Sequence, residues 1–453
     1  MIRRVLIANR GEIAVRIIRS CRDMNLEMVT VFSEADRGAL FASLATESVC
    51  VGPARAADSY LNQTNIISAA LKTGCDAVHP GYGFLSENPE FAERVIEAGL
   101  IFIGADPESI RSLGNKASAK KLMRANGVPV IPGSEGAVRS VNDAKEIARE
   151  VGYPVLVKAS AGGGGRGMRR ADDESQLEAA FSDAGAEAFA AFGDAELYIE
   201  KLIPNPRHIE VQLVADRHGG IVTLGERECS VQRRSQKILE ESPSKAVSPE
   251  LRAKLSDYAV RAAKSADYVN AGTVEFVLSP EGNAYFIEMN TRLQVEHPVT
   301  EAITGLDIVR EQIRVASGLP LSVTQDGVTF SGHAIECRLC AEDPERDFMP
   351  SPGTIDFVHL PGGFGIRVDT AIFPGCEVSP HYDSLLAKII AHGRTRNEAI
   401  YRMRRALEEL IVRGVKTNLS QLYMLMYNKD FLTGRYDTGI LTNAPQLNLE
   451  EPL

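Results

Sequence analysis

The chain has 453 residues, 44% hydrophobic and 24% charged, an ordinary globular composition with room for about two to four domains. A formal net charge of −10 argues against general nucleic-acid binding, and no apolar run approaches the ~18 residues that a membrane span needs. Seven scattered cysteines and a start that runs straight into a strand pattern, with no signal-peptide core, point to a reducing, cytoplasmic setting.

Residues 5–8 read as a buried strand, 13–23 as a helix and 28–32 as a second strand. A helix near 65–71, strands at 77–79 and 101–103, and a helix at 89–97 follow. This alternation predicts an α/β, doubly wound parallel sheet through about residue 110. Ligands sit at the carboxyl ends of such strands, where Asn9-Arg-Gly11 and Pro80-Gly-Tyr-Gly83 fall. Tight turns explain those glycines equally well. Asn115 is a suitable N-cap for a helix that opens with Lys116, which can serve a phosphate or be a surface lysine.

Residues 130–200 read as a small α/β unit. A strand at 153–158 ends in Lys158 and enters a loop with Gly162, Gly163, Gly164, Gly165 and Gly167. The loop contains G-x-G-x-x-G but leads into strand-like Met168-Arg169-Arg170, so a dinucleotide fingerprint is rejected in favour of a flap that closes over phosphates. Strands at 197–203 and 208–214 follow, and 226–237 gathers Arg227, Arg233, Arg234 and Lys237, an anion site or a solvated charge run.

Segments 272–279 and 284–290 flank a turn at 280–283 and predict a hairpin. Symmetric folding sets Glu275 opposite Glu288 and Val277 opposite Phe286, with Val274, Phe276, Leu278, Tyr285, Ile287 and Met289 on the core face. If the chain stays extended beyond 290, Glu288, Asn290, Arg292, Gln294 and Glu296 share one face, and Pro298 keeps His297 extended. Two facing carboxylates and an amide oxygen suit a hard cation such as Mg²⁺, where a bland surface hairpin would need no Arg-Gln-Glu continuation. A helix at 307–317 stops at Gly318, and a strand at 333–339 sets Glu336 and Arg338 on one face. Cys337 and Cys340 form an unpartnered C-x-x-C, read as core. The chain turns β-rich after Pro352 and then carries an amphipathic helix at 396–410.

Over nearly its whole length the chain resembles biotin carboxylase, of the ATP-grasp superfamily. The likeness is carried by His79-Pro-Gly-Tyr-Gly-Phe-Leu-Ser-Glu-Asn88, the Lys158-to-Met168 glycine segment, Glu226-Arg-Glu-Cys-Ser-Val-Gln-Arg-Arg234 and Glu288-Met-Asn-Thr-Arg-Leu-Gln-Val-Glu-His-Pro298. The resemblance implies an α/β and α+β architecture: a pre-ATP-grasp biotin carboxylation domain at 1–114, an ATP-grasp region at 115–330 with a mobile lid about 131–203, and a C-terminal biotin carboxylase domain at 331–453. It implies that ATP, bicarbonate and biotin give carboxybiotin, ADP and phosphate through carboxyphosphate. Lys116 and Lys158 would hold phosphates under Gly162–Gly167. Glu200, Lys201, Ile203 and Val277 would border the adenine, with His208 and Gln232 near the ribose. Glu275, Glu288 and Asn290 would bind two Mg²⁺ or Mn²⁺ ions. Lys237, Arg292, Gln294 and the Val295 backbone would hold bicarbonate, Glu296 would be the base, and Arg338 would stabilise the biotin enolate.

Four residues depart from the family pattern: Ser235 stands for His, Asn115 for Asp, Ala161 for Gly and Asp23 for Glu. Arg19, Asp23, Phe364 and Arg367 resemble the family's homodimer contacts. Without an Ala-Met-Lys-Met-like attachment site, biotin is expected on a separate carrier protein, with a separate carboxyltransferase. Acetyl-CoA for fatty acid biosynthesis, another acyl-CoA, pyruvate or a 2-oxo acid is the expected acceptor. The competing expectations are another ATP-grasp ligase, such as a carbamoyl-phosphate-forming enzyme, and a non-catalytic ATP-binding scaffold.

Overall fold

The computed structural model describes residues 2–159, 168–192 and 196–443. The glycine loop at 162–167 lies outside the described residues. Strands β1 (Arg4–Ile7), β2 (Glu27–Ser33), β3 (Glu47–Gly52), β4 (Ala77–His79) and β5 (Ile101–Phe102) form a parallel sheet ordered β3-β2-β1-β4-β5. Val5, Leu6 and Ile7 are buried on both faces, which is why the inner strand reads as an unbroken apolar run. The edge strand β3 lacked such a signal, because Glu47, Ser48 and Cys50 are exposed.

Strand order reverses between β1 and β4, and the loops after these two strands meet. The Asn9 amide donates to the Pro80 and Tyr82 carbonyls, both at 2.7 Å. Gly81 has φ +65°, and a Cβ there would lie 2.8 Å from Asn9 Nδ2, so glycine is required for this approach.

A small antiparallel sheet, β6 (Val155–Ala159), β7 (Met168–Ala171) and β8 (Leu197–Lys201), packs with helices Val141–Val151 and Glu174–Phe192 around a separate apolar core. β8 stops at Lys201, two residues short of the expected end.

The remaining strands build one antiparallel sheet of eight. These are β9 (Arg207–Ala215), β10 (Ile221–Arg233), β11 (Gln236–Ser242), β12 (Asn270–Leu278), β13 (Ala284–Asn290), β14 (His333–Cys340) and two later strands, Ile366–Thr370 and Leu385–Gly393. The order is β13-β12-β9-β10-β11-β14, then Leu385–Gly393, then Ile366–Thr370. The β11–β14 pairing carries the sheet across residue 330 and puts Glu240 opposite Glu336.

Two expectations are corrected in the hairpin. Glu275 does face Glu288, but a bulge beside that pair puts Phe286 opposite Phe276 and Tyr285 opposite Val277. The extra residue reverses the parity of 284–287, so Phe286 enters the core and Ile287 lines the central cavity. The strand also ends at Asn290, and His297 begins the helix His297–Thr304. Pro298 sits in that helix's first turn, where its missing N–H costs no intrahelical bond.

Glu241, at the end of β11, ties this sheet to the C-terminal helices. Its buried carboxylate accepts from Arg396 at 2.6 and 3.0 Å and from the Tyr436 hydroxyl at 2.6 Å, and lies 2.7 Å from His333 Nε2. Burial alone would raise this carboxyl, but His333 and Arg396 overcome it and bring it to about 2. A depressed carboxylate stabilises the fold above its unfolded value and loses that contribution as pH falls through the folded value. Glu241→Gln is therefore expected to cost about 3–5 kcal/mol at neutral pH. Urea unfolding of both proteins should show the gap closing as pH falls from 4.5 towards 2; a gap independent of pH would refute the ion-pair account.

Candidate active site

The loops after β1 and β4, the lid strands and the large sheet enclose a cavity of about 1360 Å³. Its lining unites Lys116, Lys158, His208, Gln232, Lys237, Glu275, Val277, Glu288, Asn290, Arg292, Gln294, Val295, Glu296 and Arg338. The centre is the Lys237 ammonium, delivered by β11. It donates to Glu210 at 2.6 Å, Glu296 at 2.7 Å and Glu275 at 3.0 Å. Burial would lower this lysine, but Glu210, Glu275 and Glu296 hold it well above its ordinary value.

Glu296, at the start of the helix His297–Thr304, is fully buried. Arg338 of β14 donates to its second oxygen at 2.9 Å and also pairs with Glu240. Burial would raise the Glu296 carboxyl; Lys237, Arg338 and Arg227 outweigh that and hold it well below the usual range. A carboxylate gripped by two cations is fully ionised and can accept a proton, provided that those cations can be shared with another anion.

The segment 291–296 is not extended, yet Arg292, Gln294 and Glu296 all reach the cavity. Side-chain bonds fold it inward. Arg292 donates to Gln294 Oε1 at 3.0 Å, to Asn290 Oδ1 at 3.1 Å and to Glu87 at 2.8 Å, and the Gln294 amide donates to Glu275 at 3.1 Å. The Val295 carbonyl accepts from the buried Lys388 at 2.9 Å.

Glu275 also lies 2.7 Å from His208 Nε2, and Gln232 Nε2 is 2.9 Å from His208 Nδ1. Burial would raise Glu275, but Lys237 and His208 hold it well below the usual range. The Asn290 amide donates to Glu275 at 2.9 Å, and Glu288 is 3.6 Å from Lys116. Two carboxylates and an amide oxygen at one cavity wall are hard donors that fit Mg²⁺ or Mn²⁺. Lys237 pairs with Glu275 and Lys116 lies near Glu288, so both carboxylates sit where positive charge is already in place. His208, Glu210 and Glu275 also cluster closely enough to suggest a metal group, but Glu210 is already bound by Arg227 and Lys237.

On the lid side, Lys158 pairs with Glu200, as does Lys120 from the core helix Lys116–Ala125. Burial and Lys116 push Lys158 down to about 8. Burial, Lys158 and Lys116 push Lys120 down to about 7. Two lysines crowded on Glu200, with Lys116 close to both, leave an excess of positive charge beside the cavity that favours a polyanionic ligand. The Asn115 cap is present, its side chain accepting from Ser118 N at 2.9 Å, so Asn serves that position. Ser235 lies in the β10–β11 turn with φ +65° and lines the cavity.

Three expected adenine neighbours are not brought to the cavity wall. Glu200 is committed to the two lysines, the Lys201 ammonium donates to the Gly152 and Tyr153 carbonyls at 2.8 Å each, and Ile203 lies beyond β8. Arg227 is neither solvated nor an anion site. It is fully buried, bonded to Glu210, Gln212, Thr273 and Thr300.

Several site residues escaped sequence reasoning. Glu210 shares the β9 face with His208, so period two could have found it, and Lys120 follows Lys116 at helical i, i+4 spacing. Glu87, Glu240 and Lys388 carried no local signal. Of the presumed contact face, Phe364 is 86% exposed, while Arg19 and Arg367 line one surface cavity of about 530 Å³.

Known proteins resemble the chain throughout. The family profile "Biotin carboxylase, N-terminal domain" matches residues 1–110, "Carbamoyl-phosphate synthase L chain, ATP binding domain" matches 115–324, and "Biotin carboxylase C-terminal domain" matches 336–443. Biotin carboxylase 1 of Bacillus subtilis is 51% identical over 442 residues, covering 97% of this chain and 98% of its own. The biotin carboxylase domain dimer of Hydrogenobacter thermophilus 2-oxoglutarate carboxylase, solved with MgADP, ADP and bicarbonate, superposes with a TM-score of 0.93 at 48% identity. It covers 98% of this chain and 97% of its own. A biotin carboxylase–beta-gamma-ATP complex from Campylobacter jejuni gives 0.95 at 45% identity, with 98% of this chain and 99% of its own covered.

Proposed function

This chain belongs to the biotin carboxylase family of the ATP-grasp superfamily, and we propose that its central cavity carries out the family reaction with the residues that converge there. The chain is an ATP-dependent ligase of the biotin carboxylase type, using bicarbonate to carboxylate biotin. The observation that carries the residue assignment is the unbroken chain Glu275–Lys237–Glu296–Arg338 along one wall.

Lys116 and Lys158 take the ATP phosphates, joined by the glycines 162–167. Val277 lies against the adenine and His208 and Gln232 serve the ribose. Glu200, Lys201 and Ile203 would border the adenine through their backbone, since the Glu200 and Lys201 side chains are bonded elsewhere. Glu275, Glu288 and Asn290 would hold the divalent cations, which supply charge neutralisation to the triphosphate when bound.

Bicarbonate is an anion and a poor nucleophile. Lys237, Arg292 and the Gln294 and Val295 donors offset its charge beside the phosphates. When it draws on Lys237, the grip on Glu296 weakens, the carboxylate gains proton affinity, and it removes the bicarbonate proton. The anion then attacks the γ-phosphorus, breaking its bond to the β-phosphate oxygen, to give carboxyphosphate and ADP, with the lysines balancing the charge that develops on the leaving oxygen. Carboxyphosphate then breaks into CO₂ and phosphate, and the phosphate takes the ureido proton of biotin. Arg338, freed in part from Glu296 as that group takes its proton, stabilises the resulting ureido anion, whose nitrogen attacks CO₂ to form carboxybiotin.

The chain is inferred to divide at 1–114, 115–330 and 331–453, to act in the cytoplasm, and to pair through the face bearing Arg19, Asp23, Phe364 and Arg367. The dimer of the Hydrogenobacter relative supports a homodimer. Biotin arrives on a separate carrier protein, and a separate carboxyltransferase passes the carboxyl group on, with acetyl-CoA the first acceptor to test.

The deciding experiment is ATP hydrolysis with Mg²⁺, bicarbonate and free biotin. Hydrolysis stimulated by biotin, with carboxybiotin formed, is expected. Bicarbonate-dependent hydrolysis indifferent to biotin would indicate a carbamoyl-phosphate-type ligase, and nucleotide binding without turnover a scaffold.

A further inference from the structure

Behind Arg338 lies a group of charges to which the mechanism assigns no part. Glu240 and Glu336 face each other across β11 and β14, and both are fully buried. Like charges directly opposite on a strand pair repel, and two carboxyls forced into one dry site cannot both ionise without enough counter-charge. The counter-charge is short. Lys237 is spent on Glu210, Glu275 and Glu296. Lys388, beside Arg338 on the next strand, is engaged by Glu12 at 3.1 Å and by the Val295 carbonyl. Arg338 is divided between Glu240 and Glu296, and neither Glu336 oxygen accepts a hydrogen bond.

We propose that Glu240 and Glu336 are positioning residues that share a single proton, so that the pair presents one negative charge to Arg338 and leaves its guanidinium free to turn between Glu296 and the biotin ureido group. The other groups around the pair do not replace that proton. The Tyr82 hydroxyl is bonded to Glu12. Burial, with Lys388, Arg16 and Arg367 nearby, holds His297 neutral, and burial holds the Cys229 thiol protonated. Burial raises Glu240 to about 7 and Glu336 well above the carboxylate range, in the same sense as the charge count. Loss of the shared proton at alkaline pH doubles the charge behind Arg338 and draws the guanidinium back from the cavity. Turnover therefore falls on that side while nucleotide binding does not.

This inference rests on the proposed role of Arg338, and its test has one arm that needs no activity. Infrared difference spectra of wild type minus Glu336→Gln at neutral pH are expected to show a protonated-carboxyl band that disappears as pH rises. No such band refutes the shared proton whatever the enzyme does, and Glu240→Gln serves in the same subtraction should Glu336→Gln not fold. In the second arm, Glu336→Gln is expected to keep kcat within about threefold at neutral pH, leave the KM for ATP unchanged, and flatten the alkaline limb of the kcat profile. An unaltered alkaline limb, or an equal loss of kcat at every pH, would refute the positioning role.

Discussion

Glu296→Gln abolishes biotin carboxylation, lowering kcat by about 10²–10⁴-fold, while ATP still binds. The amide keeps the shape, but its single oxygen can accept from only one of Lys237 and Arg338, and it cannot take the bicarbonate proton. ATP affinity is insulated because Glu296 meets Lys237 and Arg338 at the end of the wall proposed for bicarbonate, whereas Lys116 and Lys158 stand at the lid end. The variant should also lose the grip of its two cations, so bicarbonate binding is expected to be kept or improved. Measuring carboxybiotin formation beside nucleotide titration checks both halves. Near-wild-type turnover would remove Glu296 from the base role, and loss of nucleotide binding would show that it supports the phosphate end instead.

Lys237→Met is expected to damage fold and activity together. Three buried carboxylates share this ammonium, and removing one partner of a buried ion-pair network leaves uncompensated charge, at a cost of about 3–5 kcal/mol. Arg227 still holds Glu210, and Arg338 still holds Glu296, so the protein is expected to fold with a lowered urea midpoint. The loss of a fixed cation where the bicarbonate charge sits should lower kcat by about 10²–10³-fold. Adding Glu275→Gln removes the one stranded carboxylate that no arginine holds. The double variant should regain part of the stability and none of the activity. If the two changes were simply additive in stability, the three carboxylates would not be sharing one counter-charge.

The legible and illegible parts of the site divide by range. Alternation along 272–290 was enough to put Glu275 opposite Glu288, because strand side chains repeat every two residues and the intervening turn is short. The same rule failed at the very next residue towards the turn, since the bulge at Ile287 is an event between strands that neither strand announces alone. It failed again after Asn290. The expected face of Arg292, Gln294 and Glu296 is right, but the cause is a folded loop held by Asn290, Gln294, Glu275 and Glu87, not an extended strand. Arg227 illustrates the converse. In sequence it belongs to a basic run beside Arg233 and Arg234, and nothing local distinguishes the buried member from the exposed one.

By itself the sequence determined the α/β start, the small glycine-bearing lid, the acid-rich hairpin and the donor types, since each follows from hydrophobic period, turn chemistry or a short motif. Tertiary structure alone decided that one eight-stranded sheet joins the nucleotide wall to the Arg338 strand, and that Lys237 has Glu210 as a third partner. It also decided that Glu240 and Glu336 face each other behind the site. The reason is physical: the state of a buried charge is set by the sum of its neighbours and its loss of water, and those neighbours come from strands far apart along the chain.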